Sequence, residues 1–226
     1  MNHSVIGRIL MSDDTYMPLI ALIIYLVLWK KIRTGELLLL IYLIINVVFG
    51  TLTNIMGFYK INNLAYYHLY TLFEQWFISY YIIKKTSDKG IPKAYFLINI
   101  GFTIFWFINI FGWEPLSVFN SNTAVISSLI LLLLCMYYML DLSKKEEILY
   151  FQKLPSFWII SGFLIYSALS VLIFAVYKYY VLQNLRDEGN EVWNLVHITT
   201  VTKYILISAG LLCYNKRISI HSPLLL

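Results

Sequence analysis

The chain of 226 residues is 60% hydrophobic and only 13% charged, with a formal net charge of +5. In soluble domains, roughly a quarter of all residues are charged. The composition of this chain therefore excludes an ordinary water-solvated domain and is typical of an integral membrane protein. The two cysteines, Cys135 and Cys213, lie within apolar stretches. This placement argues against a disulfide-stabilised secreted domain.

Seven apolar runs are long enough to cross a bilayer, which takes about 20 helical residues. In chain order they cover residues 16–32, 36–58, 64–84, 93–111, 120–142, 155–180 and 191–214. Lipid cannot hydrogen-bond an open backbone, and the runs are about twice as long as barrel strands, so each is predicted to be a helix. The sequence therefore predicts an all-α membrane protein in which residues 1–226 form a single domain, a seven-transmembrane-helix bundle.

Basic residues predict the orientation of this bundle. Segments on one side of the seven runs hold twelve lysines and arginines, segments on the other side hold four, and Lys203 lies inside the seventh run. Cytoplasmic loops carry the excess of positive charge, so the N-terminus is predicted outside and the C-terminus in the cytoplasm. The same bias accounts for the net positive charge, so no nucleic-acid partner is expected. The expected partner is the lipid bilayer.

Two ionisable residues are predicted to meet inside the bundle. Glu74 comes about ten residues into the third run and Lys203 about twelve into the seventh, both counted from outside, which puts them near one depth. A buried charge costs roughly 2.5–3.5 kcal/mol at a helix centre, and an opposite charge beside it offsets much of that cost. No catalytic, nucleotide or metal-binding motif occurs, so a non-enzymatic protein is favoured and no catalytic or metal-ligating residue is assigned.

Further polar side chains are predicted to line a pocket that opens outward between helices 2, 3, 5, 6 and 7. His68 and His197 come six residues before Glu74 and Lys203, and would form a layer nearer the outside. Together, the candidates for ligand binding or proton relay are Glu74, Lys203, His68, His197, Asn54, Ser127, Ser128 and Tyr166. The alternative for each asparagine and serine is an interhelical hydrogen bond worth ~0.6 kcal/mol.

Four stretches of the chain resemble a family of uncharacterised seven-helix membrane proteins of Bacteroidota. They are NNLAYYHLYTLFEQWFISYY from Asn62, FNSNTAVISS from Phe119, PSFWIISGFLIY from Pro155 and WNLVH from Trp193. The resemblance covers nearly the whole chain and implies a bacterial cytoplasmic (inner) membrane. The resemblance adds Trp158 to the candidate site residues and strengthens the assignment of Glu74, Tyr166 and His197 to the site. Lys203 is not a feature of the family.

The chain is also similar in outline to microbial rhodopsins, which have seven helices, a helix-3 carboxylate and a helix-7 lysine that binds retinal. Glu74, Trp76 and Lys203 fit that outline. However, Thr199 stands one turn before Lys203 where rhodopsins carry Asp, no arginine precedes Glu74 on its face, and helix 3 lacks Thr-Thr-Pro. Retinal at Lys203 is therefore the least favoured cofactor hypothesis.

Three functions remain open from the sequence. The leading hypothesis is a receptor- or sensor-like bundle that binds a small molecule or lipid and passes a conformational change to a cytoplasmic signalling partner. The first alternative is a small proton-coupled transporter that uses Glu74 as its protonatable site. The second alternative is a retinal-binding, rhodopsin-like protein.

Overall fold

The computed structural model describes residues 12–32, 36–86, 92–183 and 186–217, which form seven α-helices and no strand. The helices are α1 (Asp13–Val27), α2 (Leu37–Phe58), α3 (Leu64–Thr86), α4 (Lys93–Gly112), α5 (Ser121–Ser143), α6 (Pro155–Leu182) and α7 (Arg186–Arg217). A 3-10 segment, Glu146–Lys153, joins α5 to α6. The predicted all-α class is confirmed for these residues.

Apolar composition marks several of these helices as candidate membrane spans. Five segments are long and apolar enough to cross a bilayer: Leu37–Phe58, Lys93–Gly112, Ser121–Ser143, Pro155–Tyr180 and Val192–Asn215. A shorter apolar helix covers Thr15–Val27. Large apolar side chains point away from the bundle; Phe111, for example, is 86% exposed. Such surfaces need contact with lipid, so the helices indicate a multipass integral membrane protein.

Helix α3 lies at the centre of the bundle. It packs against α2, α4, α5 and α6, and its Glu74 reaches Lys203 of α7, which itself packs against α6 and α1. Ten side chains of α3 are buried, and several of them are polar, including Glu74 and Gln75. A helix surrounded by protein can carry polar residues that lipid would not solvate, because its neighbours supply their hydrogen-bonding partners.

Two glycines allow α6 and α7 to approach each other closely. A Cβ on Gly162 would lie 2.9 Å from the carbonyl oxygen of Lys203. A Cβ on Gly210 would lie 2.7 Å from the carbonyl oxygen of Pro155 and equally near the Ile159 side chain. Small residues at such positions bring helix backbones into contact, which holds the Lys203 segment of α7 firmly against α6.

Two helix ends differ from the predicted runs by five residues, and the others by three or fewer. α1 ends at Val27 rather than at residue 32, because its hydrogen bonds give way to turns at Leu28, where the apolar run approaches Lys30 and Lys31. α7 begins at Arg186 rather than at residue 191. A helix does not need apolar residues where it extends beyond the hydrocarbon, so hydropathy alone underestimates its length.

Candidate functional site

The buried ion pair between Glu74 and Lys203 is the centre of the site. Lys203 Nζ on α7 lies 3.1 Å from Glu74 Oε1 on α3. The two residues are 2% and 7% exposed, respectively. Their predicted proximity is confirmed: although α3 and α7 do not pack directly against each other, the two side chains meet at one depth and offset part of each other's desolvation cost.

Tyrosines complete the surroundings of both charges. Glu74 Oε1 also accepts hydrogen bonds from the hydroxyls of Tyr42, at 2.9 Å, and Tyr70, at 3.0 Å. On the other side, the Lys203 ammonium lies 3.8 Å from the ring centroid of Tyr166. Hydrogen bonds to a carboxylate and an aromatic face against an ammonium each stabilise the charged form. Tyr166 is thus a predicted site residue that the structure brings to the ion pair.

Asn46 links these tyrosines into one network. Its Oδ1 accepts hydrogen bonds from Tyr70, at 2.5 Å, and from Tyr204, at 2.6 Å, while its Nδ2 donates to the Tyr42 carbonyl at 2.7 Å. The single Tyr70 hydroxyl proton can serve either Asn46 or Glu74, since a hydroxyl donates only one hydrogen bond at a time. The network can therefore rearrange when the charge on Glu74 changes.

A cavity of about 90 Å³ lies beside the ion pair and extends from it toward the starts of α3 and α7. Helices α2, α3, α5, α6 and α7, the five named in the sequence prediction, contribute its walls. The lining residues are Asn46, Phe49, Tyr67, Tyr70, Thr71, Glu74, Phe119, Asn120, Ala124, Ser127, Ser128, Leu131, Tyr166, Phe174, Trp193, Val196, Thr200, Lys203 and Tyr204. Since one water needs roughly 10–15 Å³ by this measure, the cavity has room for several waters or one small molecule.

Three polar atoms on residues of the cavity wall lack a hydrogen-bond partner among the described residues. All bonds to Glu74 go to Oε1, which leaves Oε2 open, and neither Ser128 Oγ nor Thr200 Oγ1 has a partner in the described part of the chain. A polar atom in apolar surroundings costs free energy unless water or a ligand satisfies it. The wall is therefore suited to a polar occupant.

Aromatic rings cover the end of the cavity away from the ion pair. Phe119 lies 5.3 Å from Trp193 and 5.1 Å from Tyr177, measured between ring centroids, and Tyr67 lies 6.2 Å from Phe119. These rings come from the starts of α3 and α7, the end of α6, and the connection before α5. This aromatic rim (Tyr67, Phe119, Tyr177 and Trp193) is half-buried and was not among the predicted site residues.

His68 does not reach the cavity. Its ring is fully buried, its Nε2 donates to the Val118 carbonyl at 2.9 Å, and its Nδ1 has no partner among the described residues. The indole of Trp106 on α4 donates to the His68 carbonyl. Six residues rotate an α-helix well away from its starting face, so His68 faces α4 and the α4–α5 connection while Glu74 faces the cavity.

Three other candidates also lie away from the cavity wall. Asn54 Nδ2 donates to Ser12 Oγ, at 2.8 Å, and to Thr15 Oγ1, at 3.0 Å, which ties α2 to the start of α1. Trp158 Nε1 donates to the Gln152 carbonyl at 2.9 Å, near the start of α6. His197 is absent from the cavity lining. By contrast, Ser127 and Ser128 line the cavity as predicted, and Ser127 Oγ donates to Gln75 Oε1 at 2.9 Å.

Two further buried carboxylates were missed by the sequence analysis. Glu36, 3% exposed, accepts hydrogen bonds from Lys85 and from the Tyr214 hydroxyl. Glu114, 5% exposed, lies 3.2 Å from Lys178 Nζ. Both glutamates fall at the boundaries of apolar runs, where charge is expected in any membrane protein. Their lysine partners, Lys85 and Lys178, are distant along the chain, so no spacing in the sequence marks these pairs.

The site offers one amine and one carboxylate as its reactive groups. Lys203, the predicted attachment point for retinal, forms the ion pair with Glu74. Within the described ranges, no three His, Cys, Asp or Glu side chains come together as metal ligands would. Comparison of the chain with protein-family models, curated proteins and solved structures finds no match.

Proposed function

We propose that this protein is a seven-span receptor-like bundle that binds a small polar molecule in the cavity beside Glu74 and Lys203. The observation that supports the proposal most directly is the set of open polar atoms on the cavity wall, above all Glu74 Oε2. Deep in a bilayer such atoms require a polar partner, because lipid cannot supply one. A polar ligand would satisfy them and displace the waters that fill the cavity in its absence.

The proposed topology has seven crossings, with the cavity open to the outside. Helix α3 is less apolar than the five candidate spans, but four other helices pack against it, and its polar residues Glu74 and Gln75 are buried among them, so lipid need not solvate them. Lys84 and Lys85 at the end of α3, and Lys144 and Lys145 after α5, lie at the end opposite to the aromatic rim. By the positive-inside rule this end faces the cytoplasm, here of a bacterial inner membrane as the family resemblance implies.

The ligand class follows from the size and charge of the cavity. At about 90 Å³ it is far smaller than the roughly 300–1,000 Å³ that a drug-sized ligand occupies, and it would not hold a long polyene such as retinal. Glu74 Oε2 can accept from an ammonium group, while Lys203 has further N–H donors for a carboxylate beside it. A small zwitterion that carries both groups, separated by one to a few carbons, fits this pairing best.

Ligand screening of the purified protein in lipid nanodiscs tests the proposal. Small zwitterions, amines and carboxylic acids are added in turn, and binding is read from tryptophan fluorescence, since Trp193 lines the cavity, and from the melting temperature. We expect saturable binding of small zwitterions, its loss in Glu74→Gln, and its retention in Glu114→Gln, a second buried carboxylate outside the cavity lining. Binding that survives Glu74→Gln unchanged, or the absence of binding by every class, would refute the proposed site.

The same preparation separates a receptor from a carrier. If the compound that binds also accumulates in proteoliposomes under a proton gradient, the protein is the proton-coupled transporter and Glu74 is its protonatable site. If the compound binds but does not accumulate in the proteoliposomes, the result supports the receptor function. The open Glu74 oxygen in a cavity large enough for water is the observation that keeps the transporter as second candidate.

A further inference from the structure

The buried carboxylate of Glu36 lies at the basic end of the bundle, opposite to the cavity. Its Oε1 accepts from Lys85 and, at 2.5 Å, from the Tyr214 hydroxyl, whereas its Oε2 is buried without a partner in the described part of the chain. The Tyr81 hydroxyl on α3 is buried next to the Glu36 carboxylate, but within the described ranges neither it nor Glu36 Oε2 makes a hydrogen bond of normal length. Buried polar atoms left unpaired in this way need an explanation, such as an unseen water or a proton-transfer role.

The groups that face Glu36 come from three helices. Lys85 and Tyr81 belong to α3, Tyr214 belongs to α7, and the Tyr25 hydroxyl of α1 donates to the Glu36 backbone carbonyl at 3.1 Å. Lys85 is the nearest cation, and its side chain is 24% exposed. Glu36 is therefore held in place by several groups while one of its oxygens remains available.

A single aromatic ring separates this carboxylate from the central ion pair. The ring of Phe163 on α6 lies edge-on to Tyr42, at 5.7 Å between centroids, and edge-on to Tyr81, at 6.1 Å. Tyr42 donates to Glu74 at 2.9 Å. The series Glu74, Tyr42, Phe163, Tyr81 and Glu36 thus has polar groups on both sides of one apolar side chain.

The layer around Phe163 is largely apolar. Fully buried apolar side chains of α2, α3 and α7 at this level include Leu39, Leu43, Ile78, Ile82 and Ile207. The buried Ser79 hydroxyl of α3 bonds to Asn99 on α4 instead. Along α3 the seven residues from Glu74 to Tyr81 span about 10 Å. Protons do not cross an apolar layer of this thickness without a chain of hydroxyls or waters, so the layer is a barrier between the outer cavity and the inner end.

We propose that Glu36 is a second proton-binding site and that Phe163 closes a proton path between Glu36 and Glu74. When the path opens, a protonated Glu74 carboxyl releases its proton through water to the Tyr81 oxygen, and the Tyr81 hydroxyl passes its own proton to Glu36 Oε2. Each transfer breaks one O–H bond and forms another, so one proton in all moves from Glu74 to Glu36 and Tyr81 ends neutral. The inference does not depend on which ligand the central cavity binds, since it needs only the Glu74 carboxyl and the apolar layer between Glu74 and Glu36.

Proton flux into proteoliposomes, followed by a trapped pH dye under a potassium diffusion potential, tests the barrier. Proteoliposomes that contain the wild type should show no proton flux above that of protein-free liposomes. Phe163→Ser, which puts space and a hydroxyl between two tyrosines, should leak. Adding Glu36→Gln to Phe163→Ser should reduce the leak by about an order of magnitude, whereas adding Glu114→Gln should leave it unchanged. A wild-type leak equal to that of Phe163→Ser, or a leak that Glu36→Gln does not reduce, would overturn the proposal.

Infrared difference spectra test the proton site without altering Phe163. On acidification the wild type should show a band of protonated carboxyl that is missing in Glu36→Gln and retained in Glu114→Gln. This result decides the assignment of Glu36 even if Phe163→Ser fails to fold. A spectrum of Glu36→Gln identical to that of the wild type would show that Glu36 takes up no proton and would sink the inference.

Discussion

Replacing Lys203 with methionine should destabilise the protein strongly, because it leaves the Glu74 carboxylate without a counter-ion in the interior. Removing one partner of a buried ion pair costs about 3–5 kcal/mol. The hydroxyls of Tyr42 and Tyr70 still donate to Glu74 Oε1, which favours the lower part of that range. At roughly 2–4 °C per kcal/mol for a chain of this size, the melting temperature should fall by about 6–20 °C.

A double variant isolates the electrostatic contribution from the loss of packing. Lys203→Met combined with Glu74→Gln removes both charges and should recover most of the stability, which gives a coupling free energy of about 2–3 kcal/mol. Thermal unfolding in nanodiscs can be followed with a thiol-reactive dye. Cys135 is fully buried and becomes reactive only on unfolding, and the experiment is done in a Cys213→Ser background.

An exposed lysine that also forms an ion pair provides the control. Lys145 Nζ lies 2.8 Å from Asp141 one helical turn away, with both side chains about one-third exposed. Lys145→Met should change stability by less than about 0.5 kcal/mol, because water screens such pairs. If Lys203→Met is no more destabilising than Lys145→Met, or if the double cycle shows no coupling, the buried pair does not stabilise the bundle as argued.

Two further substitutions test the helix contact and the polar network. Gly210→Ala places a Cβ 2.7 Å from the Pro155 carbonyl oxygen and should cost about 1–3 kcal/mol by overpacking; Gly101→Ala, which meets nothing within 4 Å, should be neutral or slightly stabilising in the same melting assay. Asn46→Leu removes the oxygen that accepts from two tyrosine hydroxyls and should cost about 1–3 kcal/mol. Equal melting temperatures of Gly210→Ala and Gly101→Ala, or of Asn46→Leu and the wild type, would contradict these expectations.

Depth along the helices could be predicted from the sequence. The rise per residue of an α-helix is nearly constant, so counting from the helix ends brought Glu74 and Lys203 to one level, where they meet. The five helices that line the cavity were predicted from the polar residues in the outer halves of their runs. Both predictions use only the depth of a residue, which follows from the length of each run and the direction in which the chain crosses.

Rotation about the helix axes could not be predicted in the same way. A helix that is apolar on all sides gives no contrast that marks its inner face, so His68 and Asn54 were placed in a pocket that they do not reach. Tyr70 precedes Glu74 by one helical turn, so the sequence predicts it as a partner of the carboxylate, and the structure shows that hydrogen bond. Tyr42 lies on another helix and could not be singled out, since tyrosine is common at membrane interfaces. Phe119 and Glu114 depend on how the α4–α5 connection folds back, which no periodicity encodes.

The glycine contacts between α6 and α7 decide which parts of the bundle can shift. With backbones this close at Gly162 and Gly210, the two helices cannot slide past each other and must move as one rigid body. Lys203 belongs to that body, whereas its partner Glu74 belongs to α3. The ion pair therefore links α3 to the two-helix unit as a whole, and a displacement of this unit near the cavity would be carried along α7 to its basic end.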